Sequence, residues 1–460
     1  MAATGFMWIE ALLLIVATGG NVSLDLASLI DEQSYFKLKT VTVTAETMTE
    51  LAAKGGTDGR APMAQLLAIR WLGEHKDEVA KAKAARATLS QLAEGKIGKD
   101  VPGFAADYAR RALARLDGKP IARPLMPANS LRSDALSWFP ERSSIFGGIE
   151  LRPTREMQKN GTSEEAPFRA ALGKMMPPQM QTEMFRFVDT VGNLRIDRVS
   201  FAVIPDGNDG GRTRIFIRIT GQGDRKALAG YLARQIRGSV LSERKGPEGE
   251  PTSVLDCKKD GPGLAFVGDN ELLVGFDAGR NAQDKHIDVL EDLLKVAAGK
   301  QRSILKGPYA NLLKSSPGQA LALLIGDIPE GWRGAMTGGR SPIPRLPGKF
   351  NLSATIKSKT LTIRFTGAAA TANEAKDFVA GVERLKQLAS DGLKTLPIKL
   401  KPKAIDALQP SLTGIKVEAK DALLSGSASM SRESLNALTD LMQAALTYYL
   451  NDEQPKPAKR

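Results

Sequence analysis

Residues 213–221 read TRIFIRITG, and residues 359–367 read KTLTIRFTG. Each stretch is rich in β-branched and aromatic residues, ends in Thr-Gly and runs into an amphipathic helical pattern. Side chains alternate along a strand, so Ile215, Ile217 and Ile219 face one side while Arg214, Phe216 and Arg218 face the other. Working outward from 213–221, the polar turn Pro205–Gly211 joins it to a strand at 199–204, as a hairpin requires. A strand at 145–151 and a helix at 179–191 precede this hairpin. A helix at 224–237, strands at 253–258, 264–267 and 272–276, and a helix at 284–298 follow. Around 359–367 the order recurs: a strand at 320–325, a hairpin of 350–356 with 360–366, a helix at 371–388, a second hairpin of 414–419 with 422–427, and a closing helix at 431–450. This predicts an α+β fold with two tandem β-α-β-β-α-β-β-α units, at 134–306 and 307–450, whose helices pack on one face of antiparallel sheets.

Upstream the period changes. From Ala45 to about Leu116 the apolar spacing is helical, with Pro62 tolerated in a first turn and glycines at 73 and 95 closing helices. Ala68–Gly73 (AIRWLG) aligns with Ala112–Asp117 (ALARLD), and the spacing of Leu72 to Leu116 falls inside the roughly 40–47-residue period of HEAT-type helix pairs. The segment 37–118 thus resembles a short run of HEAT repeats. Fewer than about three stacked repeats rarely bury enough surface to stand alone, so it is expected to lean on its neighbours. Residues 119–133, with prolines at 120, 124 and 127, read as a linker, and 451–460 as a basic tail.

Residues 1–36 hold no Lys or Arg. The apolar run Ala11–Ala17, followed by Thr18, Gly19 and Gly20, reads either as a signal or anchor without its usual opening charge, or as an apolar first helix. No cysteine follows the run, so a lipoprotein anchor is not expected. No apolar stretch approaches the roughly 20 residues that span a bilayer.

Phrases such as ALSWFPERSSIFGGIELR (135–152), GNLRIDRVSFAV (192–203), VGDNELLVGF (267–276) and SILKGPYANLLKSSPGQALALLIGDIP (303–329) give the region from Asp134 to Leu450 its character. That region is similar to uncharacterised duplicated α+β domains in exported proteins of bacteria such as planctomycetes. The resemblance implies a periplasmic or extracytoplasmic location and transfers no catalytic residue.

Composition narrows the chemistry. The chain has 64 Lys plus Arg against 51 Asp plus Glu, a net charge of +13, but only two histidines (His75 and His286) and one cysteine (Cys257). A disulfide framework is therefore excluded, and scattered single ligands give no metal spacing. Gly221-Gln222-Gly223 before a helix lacks the third glycine of a dinucleotide fingerprint, because position 226 is Lys; Asp224 reads instead as a helix N-cap. Cys257 reads as a packed strand residue rather than a nucleophile paired with His286. No cofactor, metal or catalytic residue is expected.

The positive balance points to basic, Pro-interrupted loops that could attract anions, carried by Arg340, Arg345, Lys349, Lys394, Lys399, Lys401 and Lys403. No sequence-specific nucleic-acid motif accompanies them. The leading expectation is a non-enzymatic, exported binding or scaffold protein that meets a protein partner or an anionic polymer through its surface, with membrane contact only through a retained N-terminal segment. Two alternatives stay open. One is a cytoplasmic protein that holds polyanions or nucleic acid non-specifically through those loops. The other is a hydrolase built on a carboxylate pair.

Overall fold

The computed structural model describes residues 24–54, 62–97, 104–119, 121, 123–155, 178–206, 212–257, 262–268, 270–279, 286–335, 342–357, 360–395, 402–435, 437–438 and 441. The expected signal or anchor run, the turn at 207–211, the basic tail and most of the closing helix lie outside these residues.

In chain order the strands are β1 (Leu24–Asp25), β2 (Ile145–Glu150), β3 (Arg195–Asp206), β4 (Arg212–Gln222), β5 (Val240–Lys245), β6 (Pro251–Asp256), β7 (Gly263–Val267), β8 (Glu271–Gly279), β9 (Ala322–Asp327), β10 (Lys349–Lys357), β11 (Thr360–Ala368), β12 (Lys416–Lys420) and β13 (Leu423–Met430). The helices are α1 (Leu26–Leu29), α2 (Glu32–Leu38), α3 (Ala45–Lys54), α4 (Pro62–Glu74), α5 (Lys76–Lys81), α6 (Lys83–Ala93), α7 (Phe104–Leu116), α8 (Pro178–Val191), α9 (Arg225–Gln235), α10 (His286–Ala297), α11 (Ala310–Ser315), α12 (Glu330–Ala335), α13 (Ala372–Thr395) and α14 (Pro402–Thr413).

All thirteen strands among the described residues belong to one sheet, ordered β12-β13-β11-β10-β9-β2-β3-β4-β8-β7-β6-β5, with β1 paired to β3 beside this path. Every pairing is antiparallel. The α+β class is as the sequence implied, but the two halves share a single sheet instead of forming separate ones. They meet where β2 pairs with β9, and β4 and β11 each lie third outward from that seam. The seam is tight: a Cβ on Gly147 would sit 2.2 Å from the Leu323 carbonyl oxygen. Only glycine lets the two backbones approach this closely.

The N-terminal helices form their own core around Met48, Leu51, Met63, Leu67, Leu89 and Tyr108. The two stretches aligned in sequence lie on α4 and α7, which pack against each other so closely that a Cβ on Gly73 would meet the Ala112 Cα at 2.7 Å. Arg70, buried in α4, donates to the Ala27 and Ile30 carbonyls and pairs with Glu32, so one guanidinium ties α1 and α2 to the bundle. Phe185 and Val188 of α8 enter this same core, and Tyr35 donates to Asp189 at 2.5 Å.

Two expectations need correction. Part of the linker is core: Ser130–Ala135 forms a π-helical turn whose Leu131 and Ala135 pack under the sheet with Phe139 and Phe146. With only Leu131 and Ala135 apolar, the turn is too short to show a period. The stretch 394–403 is not simply a loop either, because Lys394 lies in the last turn of α13 and Lys403 lies in α14, which Pro402 opens. Proline is tolerated at a first helical position, where its missing N–H would have had no partner.

Candidate functional site

The two faces of the sheet are unlike. On one, Phe146, Ala202, Phe216, Leu273, Leu323 and Ile325 are buried against the 130–139 turn and Val289, Leu290 and Leu293 of α10. Gly275 brings that helix onto β8, since a Cβ there would meet the Leu290 amide nitrogen at 2.6 Å. Charges on this face are buried in pairs. Glu150 accepts from Arg152, Arg198 and Ser130 at 2.8–3.0 Å. Arg218 takes Glu271 through two contacts of 3.0 and 2.9 Å, donates to the Asp134 carbonyl at 2.7 Å and lies 3.9 Å from the ring centroid of Trp138.

The opposite face is apolar. The strand registers set Val274, Ile217, Phe201, Gly147, Leu324, Leu352 and Phe365 side by side across seven strands. One flanking row runs Leu272, Ile219, Val199, Ile149, Ala322, Ala354, Ile363; the other runs Phe276, Ile215, Val203, Ile145, Gly326, Phe350, Gly367. No polar residue interrupts the three rows. Most of their larger side chains are only half-buried, among them Ile215, Ile217, Val203, Leu324, Leu352 and Phe350. The isoleucine side of β4 is thus the half-exposed one, while its Arg-Phe-Arg side supplies buried Phe216 and Arg218.

Helices lie on both faces, not on one as the sequence implied. On this face Leu435 packs on Ile149, Ala322, Ala354 and Ile363 and closes that stretch of the flanking row, and two helices cover the ends of the face. On one side α9 sets Leu228, Leu232 and Ile236 against Leu255, Leu264, Phe266 and Val274. On the other α13 sets Ala375 and Phe378 against Phe365, Val417 and Leu424. Under the start of α9 a solvent-open cleft of about 110 Å³ continues the rows, lined by Ile219, Leu272, Phe266, Leu228 and Ile196 with Arg195, Asp224, Arg225 and Asn270 at its rim. Gly221 and Gly223 make the turn into α9 possible: a Cβ on either would come within 2.0 Å of the Arg195 carbonyl oxygen or 2.4 Å of the Leu194 side chain. Asp224 caps α9, accepting from the Ala227 amide at 2.9 Å. Antiparallel partners on both sides of β4 complete a geometry foreign to a dinucleotide turn.

Few of the basic residues singled out in the sequence are placed as free loop cations. Arg345 pairs with Glu330 and Glu374, which also hold Arg333, so two guanidiniums and two carboxylates neutralise one another. Lys349 is exposed at the start of β10, and Lys403 is exposed in α14. Arg340, Lys399 and Lys401 lie outside the described residues, as does the side chain of Lys394. Cys257 is buried among Ala229, Leu255, Leu264 and Phe266, and burial, with Asp256 adding, pushes its thiol up. His75 stacks on Trp71 at 4.2 Å in the helical bundle. Among the described residues no three His, Cys, Asp or Glu side chains gather as a metal site needs, and no helix is long and apolar enough to cross a membrane.

Sequence reading found the alternation of β4 but not the apolar face. Each strand shows its own period, whereas a row across seven strands exists only once the registers are fixed.

No family model and no curated protein matches the chain. Among solved structures it is similar to crystal form I of TP0453, at 12% identity and a TM-score of 0.33, covering 69% of this chain and 98% of that one. It is likewise similar to crystal form III of TP0453, at 11% identity and a TM-score of 0.34, covering 67% and 98%. Similarity at this level carries no argument about function.

Proposed function

We propose that this chain is a non-catalytic binding protein that holds an apolar ligand, a hydrocarbon chain, on the open face of its sheet. The three unbroken apolar rows carry the reading. Water in contact with such a surface is displaced favourably, at about 25 cal/mol per Å² of apolar area. A face bounded by α9 and α13 and running into the cleft beneath α9 suits a slender, flexible chain.

The rest of the reading follows as proposal. The two halves are copies of one unit, for which the equal places of β4 and β11 in the sheet give support. The bundle of α3 to α7 is a HEAT-like support for the sheet. The protein works outside the cytoplasm, a view that rests on the run Ala11–Ala17 and the small residues after it; a native N-terminus near Asn21, read by mass spectrometry, would support it.

The decisive experiment titrates the protein with cis-parinaric acid, a fluorescent fatty acid. Saturable binding, displaced by palmitate and weakened at least tenfold by Ile217→Glu in a variant that circular dichroism shows to be folded, is expected. Absence of saturable binding, or binding indifferent to Ile217→Glu, overturns the reading.

A further inference from the structure

Strand β5 ends the sheet, and among the described residues nothing pairs with its outer side. Sheet edges are templates for another strand and are usually blunted by charge, proline or bulges. The opposite edge is blunted in this way, since β12 presents Lys416, Glu418 and Lys420 to solvent. Strand β5 carries charge as well, at Glu243, Arg244 and Lys245, but its first half exposes Val240 at 49% and Leu241 at 41%.

The register says which backbone groups are free. The Gly246 amide donates to the Glu250 carbonyl at 2.7 Å, so the alternate pairs Arg244–Thr252, Ser242–Val254 and Val240–Asp256 are the hydrogen-bonded ones. The amides and carbonyls of Leu241, Glu243 and Lys245 therefore point away from β6. Pro251, which has no amide hydrogen to offer, stands opposite Lys245, as this phase requires.

Charge selects the occupant. The helix α9 that packs on β5 carries Arg225, Lys226 and Arg234, with Arg237 just beyond it; Asp224 caps the helix, and Glu243 of β5 lies 3.6 Å from Arg225. Arg234, Arg237 and Lys245 are exposed and hold no ion pair among the described residues. A second copy of a chain with a charge of +13 would bring these cations against their own kind, and a register centred on Glu243 would oppose Glu243 to itself. We propose that the outer edge of β5 receives an extended, acidic segment of another protein as an added strand, apolar where it meets Val240 and Leu241 and acidic where it meets Arg234 and Arg237.

The test uses the full chain and a fluorescein-labelled peptide of alternating Asp and Val, followed by fluorescence anisotropy. Saturable binding is expected. It should be at least tenfold weaker for a peptide of alternating Lys and Val, and at least tenfold weaker when alternate amides of the acidic peptide are N-methylated, which blocks backbone pairing but leaves charge. Leu241→Pro, which removes an outward donor without touching the β5–β6 bonds, should abolish binding. The surface double variant Arg234→Glu/Arg237→Glu should weaken it at least tenfold and keeps the test valid if the proline disturbs folding. Equal binding of the N-methylated peptide, no response to charge reversal, or a concentration-dependent dimer that Leu241→Pro dissolves each overturns the proposal.

Discussion

The guanidinium of Arg218 grips the carboxylate of Glu271 through two parallel contacts of 3.0 and 2.9 Å while lying over the Trp138 ring. That pair lets β4 turn its arginine side into the core and leave its isoleucine side to the open face. Removing one partner of a buried pair strands the other charge, at a cost of about 3–5 kcal/mol. Arg218→Met is expected to lower the unfolding free energy, read from the shift of the denaturant midpoint, by an amount in that range. Arg218→Lys should recover little of it, because an ammonium makes neither the fork nor the planar stack; full recovery by lysine would show that only charge matters here.

Phe216 and Ile217 are sequence neighbours on opposite faces. Phe216→Ala, in the closed core, should cost about 3–5 kcal/mol, whereas Ile217→Ser, on the half-buried face, should cost about 1–2 kcal/mol. Chemical denaturation of the two variants side by side measures which face is the core. Similar losses would contradict the assignment.

The seam between the halves depends on Gly147. With 2.2 Å between a Cβ and the Leu323 carbonyl oxygen, Gly147→Ala must push β9 away, and a loss of about 1–3 kcal/mol or more is expected. Gly392 in α13 serves as contrast, since a Cβ there meets nothing within 4 Å. Gly392→Ala should stabilise the chain by about 0.5–1 kcal/mol through helix propensity. Thermal melts of both variants give opposite signs if the seam is built as described.

Burial alone would raise the Glu374 carboxyl, but Arg333, the Ala370 amide and Arg345 outweigh it and hold Glu374 below its usual range. Because the folded value is the lower one, the ionised cluster stabilises the fold above the unfolded-state pKa of roughly 4.3. That contribution is lost as pH falls through the folded value. The melting-temperature gap between the wild type and Glu374→Gln should therefore be widest near neutral pH and close in acid. A gap that is constant with pH would show that the cluster contributes nothing through ionisation.

Cys257 offers a probe of the α9 side of the sheet. Its buried, upward-shifted thiol should react slowly with iodoacetamide in the native protein and quickly in denaturant. Fast native labelling would mean that α9 lifts readily from β6 and β7.

By itself the sequence determined many of the elements, though not β5, α14 or the turn at 130–135. The alternation at Thr213–Gly221 and its echo at Lys359–Gly367 marked two strands that occupy matching places, and the three-and-four spacing of Ala45–Leu116 marked the helical bundle. Asp224 announced its helix as well. These are local signals, written within one or two turns of chain. Only the tertiary structure decided that thirteen strands form a single sheet, that Leu131 belongs to the core, that Arg345 is spent on Glu330 and Glu374, and that the isoleucines of β4 face outward. Each of those facts depends on partners far apart in sequence. A strand's pattern says that its two faces differ, but what packs on each face is fixed by elements it meets only after folding.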